Sequence, residues 1–213
     1  TIVVLDHHRQ SSDNIDNALL SYIEPYASSA CEMVSEVLQY IVDDIKIPNL
    51  EASSLYAGIM IDTNNFMNKT GVRTFEAAAF LRRSGADITL VRKMFRDDME
   101  SYRAKAQIIS SAEVYHNKYA IARGENLTIE SPTIIGAQAA NELLDINEVK
   151  ASFVLTTYNG RIYVSARSID EVNVQIIMER LGGGGHMNAS GAQFDHTDMD
   201  EAVADLKQVI DDV

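Results

Sequence analysis

The sequence predicts an α/β protein made of two α/β domains joined by a helix. Three observations lead there. The chain opens on an apolar run, Ile2-Val3-Val4-Leu5, that reads as a buried strand of a parallel sheet. Its first half then alternates short apolar or turn segments with amphipathic helices. Between residues 97 and 113 the texture changes, and the remainder is richer in strands. The expected division is 1–96, a connecting helix over 97–112, and a second domain over 113–213.

The elements follow in order. Ser29 and Glu32 form a capping-box pair, after which Met33, Val34, Val37, Leu38 and Ile41 keep a helical apolar period. Leu50 to Ile61 reads as a second helix that runs into the polar break Asp62-Thr63-Asn64-Asn65. Thr74 to Arg83 is a third, closed by Gly85, and Asp87 can cap the next. Asp97 to Ser111 is the polar connecting helix. Val114-Tyr115 and Tyr119 to Ala122 can pair around His116-Asn117-Lys118. Ser131-Pro132 suits the N-cap and first turn of a helix through Leu144. Ala151 to Tyr158 and Arg161 to Arg167 flank Asn159-Gly160, a strong hairpin signal. Val174 to Leu181 is a helix that ends on glycine, and Asp198 starts the last one.

The bulk numbers exclude several classes. A chain of 213 residues suits one large domain or two ordinary ones. No apolar run approaches the roughly 18 residues of a membrane span. No signal peptide is recognisable, and the opening inside a strand without an initiator Met leads us to expect part of a longer protein. A net charge of −13 argues against holding long nucleic acid by counterion release, while a small anion stays accessible through a metal and local arginines. A single cysteine, Cys31, excludes an internal disulfide and fits a reducing compartment; it reads as a small helical residue.

Two motifs carry chemistry. Asp6-His7-His8 ends the first strand, at the carboxyl edge where open α/β sheets bind ligands. His7 and Asp62 are the metal candidates, an N/O set that suits Mn²⁺ or Mg²⁺. Adjacent residues on a strand point to opposite sides, so His8 is expected either to support the ligand from behind or to contact phosphate, unless Asp6 and His8 merely cap the loop. Asp62 alone reads better as a helix terminator or Asx-turn residue, and becomes a ligand candidate only alongside His7. Arg73 precedes a helix start, where it can clamp a phosphate or lie solvated on the surface. Ser165-Ala166-Arg167-Ser168 ends a strand with a cation between two hydroxyls. The run Gly182-Gly183-Gly184-Gly185-His186 reads as a loop wrapped against a ligand, since one glycine suffices for a helix C-cap. His116 and His196 have no supporting cluster.

These residues resemble a known family. Val4-Leu5-Asp6-His7-His8-Arg9 is similar to the motif that names the DHH phosphoesterases, and Gly182 through Gln193 resembles the glycine-rich motif of their DHH-associated second domain. Tyr26 to Glu32, Gly58 to Phe66 and Thr70 to Ala78 follow the family in order, so the likeness covers the whole chain. Ser165-Ala166-Arg167-Ser168 and Asn173-Val174-Gln175 bring it nearest to the GdpP-type cyclic-di-AMP phosphodiesterases. The resemblance implies a parallel-sheet DHH domain, truncated at its N-terminus, and a smaller α/β second domain, with the active site in the cleft between them. It implies two Mn²⁺ ions, catalytic roles for Asp6, His7, His8 and Asp62, and substrate contacts from Arg73, Arg167, Ser168, Gly183, Gly184, Gly185 and His186. The reaction implied is hydrolysis of cyclic di-AMP to the linear dinucleotide. The parent would be attached to the inner face of a bacterial membrane with this part in the cytoplasm, and a homodimer stays open.

The chain departs from the family at one point. Family members carry an upstream His-x-x-x-Asp-x-Asp motif and a further Asp, which supply the other metal ligands. Neither is present in this chain, which implies at best one weakly held metal and little turnover for the chain alone. Two other readings stay in play. One is a nanoRNA or linear-dinucleotide phosphodiesterase of the same superfamily. The other is a nucleotide-binding module without catalysis, since the glycine-rich domain also resembles the C-terminal part of alanyl-tRNA synthetases.

Overall fold

In a computed structural model, the structure describes residues 1–8, 15, 17–41, 45–169, 172–195 and 198–213, so Arg9 and His196 lie outside the described residues. The chain divides into two compact units, Thr1–Arg96 and Asp97–Val213.

In the first unit, β1 (Val3–Asp6) pairs in parallel with β2 (Leu20–Ile23), from Val3 opposite Leu20 to Asp6 opposite Ile23. Four helices follow: α1 (Ala30–Ile41), α2 (Asn49–Asp62), α3 (Val72–Arg83) and α4 (Ile88–Met94). Their core is small, built from Ala52 and Ile59 of α2, Ala77 and Leu81 of α3, and Ala86. The expected full burial of β1 is not observed: Val3 is 53% exposed, and Val4 and Leu5 are half-buried. Among the described residues β1 has one strand neighbour, so the two covered faces of a wide parallel sheet do not form around it.

The buried face of α1 also differs from the apolar period. Glu32, Met33 and Ser35 are buried, whereas Val37 and Ile41 are exposed. Glu32 turns inward because its carboxylate has partners there. Its Oε2 accepts from the Ser28 hydroxyl at 2.5 Å and from the Ser28 amide at 3.3 Å. The capping pair is therefore half formed: the Ser29 hydroxyl accepts from the Glu32 amide, and Glu32 reaches Ser28 instead of Ser29. Gly85 closes α3 with φ +103, and its own amide and that of Ala86 donate to the Arg82 and Leu81 carbonyls, a Schellman pair. Asp87 caps α4 through the Thr89 and Leu90 amides.

The second unit is a three-layer sandwich. Its elements are α5 (Met99–Ser110), β3 (Glu113–Tyr115), β4 (Tyr119–Gly124), α6 (Pro132–Leu143), β5 (Ala151–Tyr158), β6 (Arg161–Ser168), α7 (Val174–Arg180), β7 (Gly184–His186), β8 (Ala189–Phe194) and α8 (Met199–Asp211). The sheet runs β3-β4-β5-β6-β8-β7. β4 and β5 are parallel across the α6 connection, and the other neighbours are antiparallel. One face packs Phe153, Leu155, Ile162 and Val164 against Ile177 and Met178 of α7 and Val203 and Leu206 of α8. The other packs Ala120, Ala122 and Val154 against α5 and α6. Helix α5, expected as a connector, buries Ala104 and Ile108 in that second core.

Local chemistry explains most boundaries. Asn159 and Gly160 take φ +48 and +72, the pair of left-handed residues that a two-residue hairpin needs between β5 and β6. Asp98, Asn173 and Asp198 each accept two backbone amides at the starts of α5, α7 and α8. Ser131 precedes α6 as expected but makes no side-chain capping bond; Pro132 begins that helix instead by its fixed φ.

Candidate functional site

Strand β1 delivers Asp6 at its carboxyl end, and the Glu24 amide extends the ladder by donating to the Asp6 carbonyl at 2.9 Å. Asp6 Oδ1 accepts from the His8 amide at 3.0 Å and lies 2.7 Å from His8 Nδ1. The amide bond first, and the ring contact next, hold the Asp6 carboxyl below the usual carboxylate range. A carboxylate at Nδ1 selects the Nδ1–H tautomer of a neutral imidazole, which leaves Nε2 of His8 for a ligand. The two rings do not take opposite sides: their centroids are 4.4 Å apart at a tilt of 50°. Both residues lie beyond the last residue of β1, where strand alternation no longer governs direction.

Asp62 is the last residue of α2, and its Oδ2 stands 3.7 Å from His7 Nε2, the imidazole being 16% exposed and the carboxylate 39%. The turn behind it is unusual. Asn64, Asn65 and Phe66 have φ of +45, +57 and +65, three non-glycine left-handed residues in succession. Such a backbone costs on the order of 1–2 kcal/mol per L-residue, less for Asn. It is held by Thr63, whose hydroxyl donates to the Ile59 carbonyl at 2.7 Å and accepts from the Phe66 amide at 3.0 Å. The Phe66 ring is gripped between Tyr56 and Phe75, each at a centroid distance of 5.7 Å. Cys31 lies close enough to feel Asp62: burial, and then that charge, push its thiol pKa up.

The donor chemistry of His7 and Asp62 fits one hard or borderline divalent cation. Two cis donors about 2.1 Å from an octahedral ion lie about 3 Å apart, so the observed 3.7 Å would close by roughly 0.7 Å on binding one. Among the described residues no group of three or more His, Cys, Asp or Glu side chains gathers for a metal. The described donors therefore fit one ion and not the two-ion centre that the resemblance implies.

Arg73 stands in the first turn of α3, but carboxylates already hold it. Its Nε and Nη2 donate to Glu36 Oε1 and Oε2, both at 2.7 Å, and its Nη1 is 3.6 Å from Glu24 Oε2. The Glu36 bonds raise the guanidinium pKa further. Sequence reading passed over Glu24 and Glu36, whose pairing with Arg73 joins residues far apart in the chain. The available signal was the i, i+4 repeat of Glu32 and Glu36 on a helix with no other charge.

In the second unit the strand register sorts the remaining candidates onto faces. Arg167, Ala189 and His186 are directly opposed across β6, β8 and β7, and Ser165, Gly191 and Gly184 form the next row on the same face. The side chains of Arg167 and His186 thus flank a floor of alanine and glycine. Arg167 is half-buried, its Nη1 donates to the Ala166 carbonyl at 2.9 Å, and burial lowers its pKa. Ser168 falls on the opposite face, where its hydroxyl donates to the Val172 carbonyl at 2.7 Å.

The glycine run is not a free loop. Gly182 (φ +77) ends α7, with the Gly183 amide donating to Met178 at 2.8 Å. A Cβ on Gly183 would lie 2.1 Å from the Gly191 carbonyl oxygen, and one on Gly185 (φ +142) 2.6 Å from Ser190 Cα. Gly184 alone of the last three has open space where a side chain would go.

Known proteins resemble both parts of the chain. A family model described as the DHH family N-terminal domain matches residues 1–59, and one described as the DHHA1 domain matches 119–212. The chain carries a DHH domain and a DHHA1 domain. This DHH–DHHA1 chain is 44% identical over 99% of its length to a protein of Geobacillus thermodenitrificans named cyclic-di-AMP phosphodiesterase GdpP. It is 42% identical, again over 99%, to the cyclic-di-AMP phosphodiesterase PdeA of Listeria monocytogenes. The chain spans about a third (32%) of the length of each of these relatives. A bifunctional oligoribonuclease and PAP phosphatase, NrnA of Mycoplasma genitalium, is 30% identical over 90% of this chain and 60% of its own length. Among solved structures, an exopolyphosphatase-related protein of Bacteroides fragilis matches 99% of this chain and 63% of its own with a TM-score of 0.84 at 24% identity, a likeness of fold.

Proposed function

We propose that this DHH–DHHA1 chain is the catalytic part of a divalent-metal phosphodiesterase that hydrolyses cyclic di-AMP to linear pApA. The observation that carries the reading is the facing pair His7 Nε2 and Asp62 Oδ2, brought together from the ends of β1 and α2. The names of the relatives at 42–44% identity support the substrate class.

His7 and Asp62 would hold the cation, Mn²⁺ by resemblance and Mg²⁺ equally compatible with N/O donors. Bound there, a divalent ion supplies Lewis-acid polarisation of a phosphoryl oxygen. The chain's own residues do the rest. Asp6 orients His8, whose unprotonated Nε2 can take the proton released by the attacking water and pass it to the leaving ribose oxygen. In the second unit, Arg167 offers a partly desolvated cation for a nucleotide phosphate. Gly184 lets backbone approach it closely, and His186 can stack on a base or donate to it. Water adds to phosphorus as the P–O3′ bond breaks, and the leaving oxygen takes up the proton. With two donors gathered among the described residues, the chain by itself is proposed to hold the ion weakly and turn over slowly. Attachment of the longer protein to the membrane belongs to the same proposal; no helix among the described residues is long and apolar enough to cross one.

A second reading, preference for linear dinucleotides, draws on the NrnA likeness. Both are tested by incubating the chain and the longer parent with Mn²⁺ and either cyclic di-AMP or pApA, then following products by chromatography. Cleavage of the cyclic compound, lost in His7→Ala and Asp62→Ala, supports the proposal. Cleavage of pApA alone moves the protein to the linear branch. Nucleotide binding with no cleavage by either leaves a binding module.

A further inference from the structure

The Arg73 cluster joins three pieces of the first unit. Arg73 belongs to α3, Glu36 to α1, and Glu24 follows β2 directly, with the Tyr22 hydroxyl 3.5 Å from Arg73 Nη2. The backbone of Glu24 in turn donates to the carbonyl of Asp6, one residue before His7. Asp62, by contrast, is carried by α2, which shares its apolar core with α3. The distance between His7 and Asp62 therefore depends on how the β1–β2 ribbon is seated against the helices. The guanidinium ties that ribbon to two of them.

One guanidinium here meets two carboxylates, so the cluster carries a net negative charge and disfavours a phosphate. Displacing the Glu36 fork would also break two charge-assisted bonds at once. We propose that Arg73, with Glu24 and Glu36, is a positioning residue that sets the His7–Asp62 geometry, and that it does not bind substrate. The proposal rests on the reading of His7 and Asp62 as cation ligands. Lysine is a poor substitute because it cannot reproduce the two-pronged contact.

The test compares Arg73→Met, Arg73→Lys and the charge-exchanged R73E/E36R with the unaltered chain. The control is Lys105→Met, which breaks a partly buried ion-pair bridge to Asp97 and Glu142 in the other unit. Mn²⁺ affinity is measured by calorimetry, with circular dichroism to establish folding. Groups that hold metal ligands in place typically matter roughly 10–100-fold in affinity. Arg73→Met is expected to weaken Mn²⁺ by about that factor, with Arg73→Lys intermediate, partial recovery on charge exchange, and no change in the control. A folded Arg73→Met chain that binds Mn²⁺ like the unaltered one overturns the proposal. If Arg73→Met does not fold, Arg73→Lys carries the same comparison. If the unaltered chain binds no Mn²⁺, the ligand reading fails on its own, and amide NMR shifts of Asp6, His7, His8 and Asp62 decide. Shifts that move on substitution of Arg73 and not of Lys105 sustain the positioning role; shifts unmoved in both remove it.

Discussion

Replacing Gly183 and Gly184 by alanine, one at a time, should separate a glycine required by packing from one left open for a ligand. At Gly183 the new methyl would meet the Gly191 carbonyl oxygen at 2.1 Å, Ala192 Cα at 2.6 Å and Ala192 Cβ at 2.7 Å. These atoms belong to β8, which is hydrogen-bonded on both edges, so the strand cannot yield without losing ladder bonds. The cost belongs at the upper end of overpacking, about 2–3 kcal/mol. At roughly 3–5 °C per kcal/mol for a unit of this size, the melting temperature should drop by roughly 6–15 °C. At Gly184 nothing lies within 4 Å of the added methyl and φ is not positive. Alanine there should be neutral or stabilising by up to about 1 kcal/mol through the unfolded chain. Scanning calorimetry reads the stability, and fluorescence anisotropy with a labelled dinucleotide reads the affinity. Gly184→Ala should keep its melting temperature and bind the nucleotide at least tenfold more weakly (about 1.4 kcal/mol). Equal melting temperatures for the two variants would refute the packing argument. Full nucleotide affinity in Gly184→Ala would refute the ligand argument.

Other expectations concern separate parts of the molecule. Cys31 should react slowly with iodoacetamide at neutral pH, and Asp62→Asn should speed it, because removing a nearby negative charge lowers the thiol pKa; an unchanged rate would place the thiol out of Asp62's influence. The Asp98 and Asp211 carboxyls are held below their usual range, the first by the Ser101 amide and hydroxyl, the second by His116 and Tyr115. A depressed folded-state pKa contributes stability above the unfolded value near 3.9 that is lost as pH falls through the folded value. Urea melts should therefore show stability falling below about pH 4, with a shallower fall in Asp98→Ser; a flat profile to pH 3 would contradict it. Phe153→Ala, at a fully buried site in the larger core, should cost about 3–5 kcal/mol by the same melts.

Legibility in the sequence followed the range of the physics involved. The Asn159-Gly160 turn, the caps at Asp87 and Asp198, and the glycine at position 85 were readable because each acts within a few residues. The fold class followed from these and from the alternation of apolar segments. Strand β2 was missed, since Leu-Ser-Tyr-Ile is short and its partner lies across a long connection. Strand β7 was hidden because glycine has no strand preference of its own; its place comes from β8. In the site, Asp6-His7-His8 and Asp62 were visible as residue types at element ends, but their 3.7 Å approach is a tertiary fact. The Arg73–Glu36 contact was hidden, because a cation at a helix start looks alike in sequence whether or not a glutamate from a distant helix meets it. The apolar stripe on α1 misled for a related reason: two serines made the buried side of that helix hospitable to Glu32.

The left-handed turn at Asn64, Asn65 and Phe66 bears on how Asp62 meets a ligand. A carboxylate on a slack helix end would have to be immobilised when a cation or phosphate arrives, and that ordering would be subtracted from the binding free energy. Here the aromatic grip on Phe66 and the Thr63 bonds restrain the backbone in advance, so folding meets the entropic penalty before any ligand is present. With His7 and Asp62 holding a cation as proposed, selectivity would come from stiffness as much as from donor identity. An ion that draws the two closer than 3.7 Å would work against a turn already under strain, and one with longer bonds would meet less resistance.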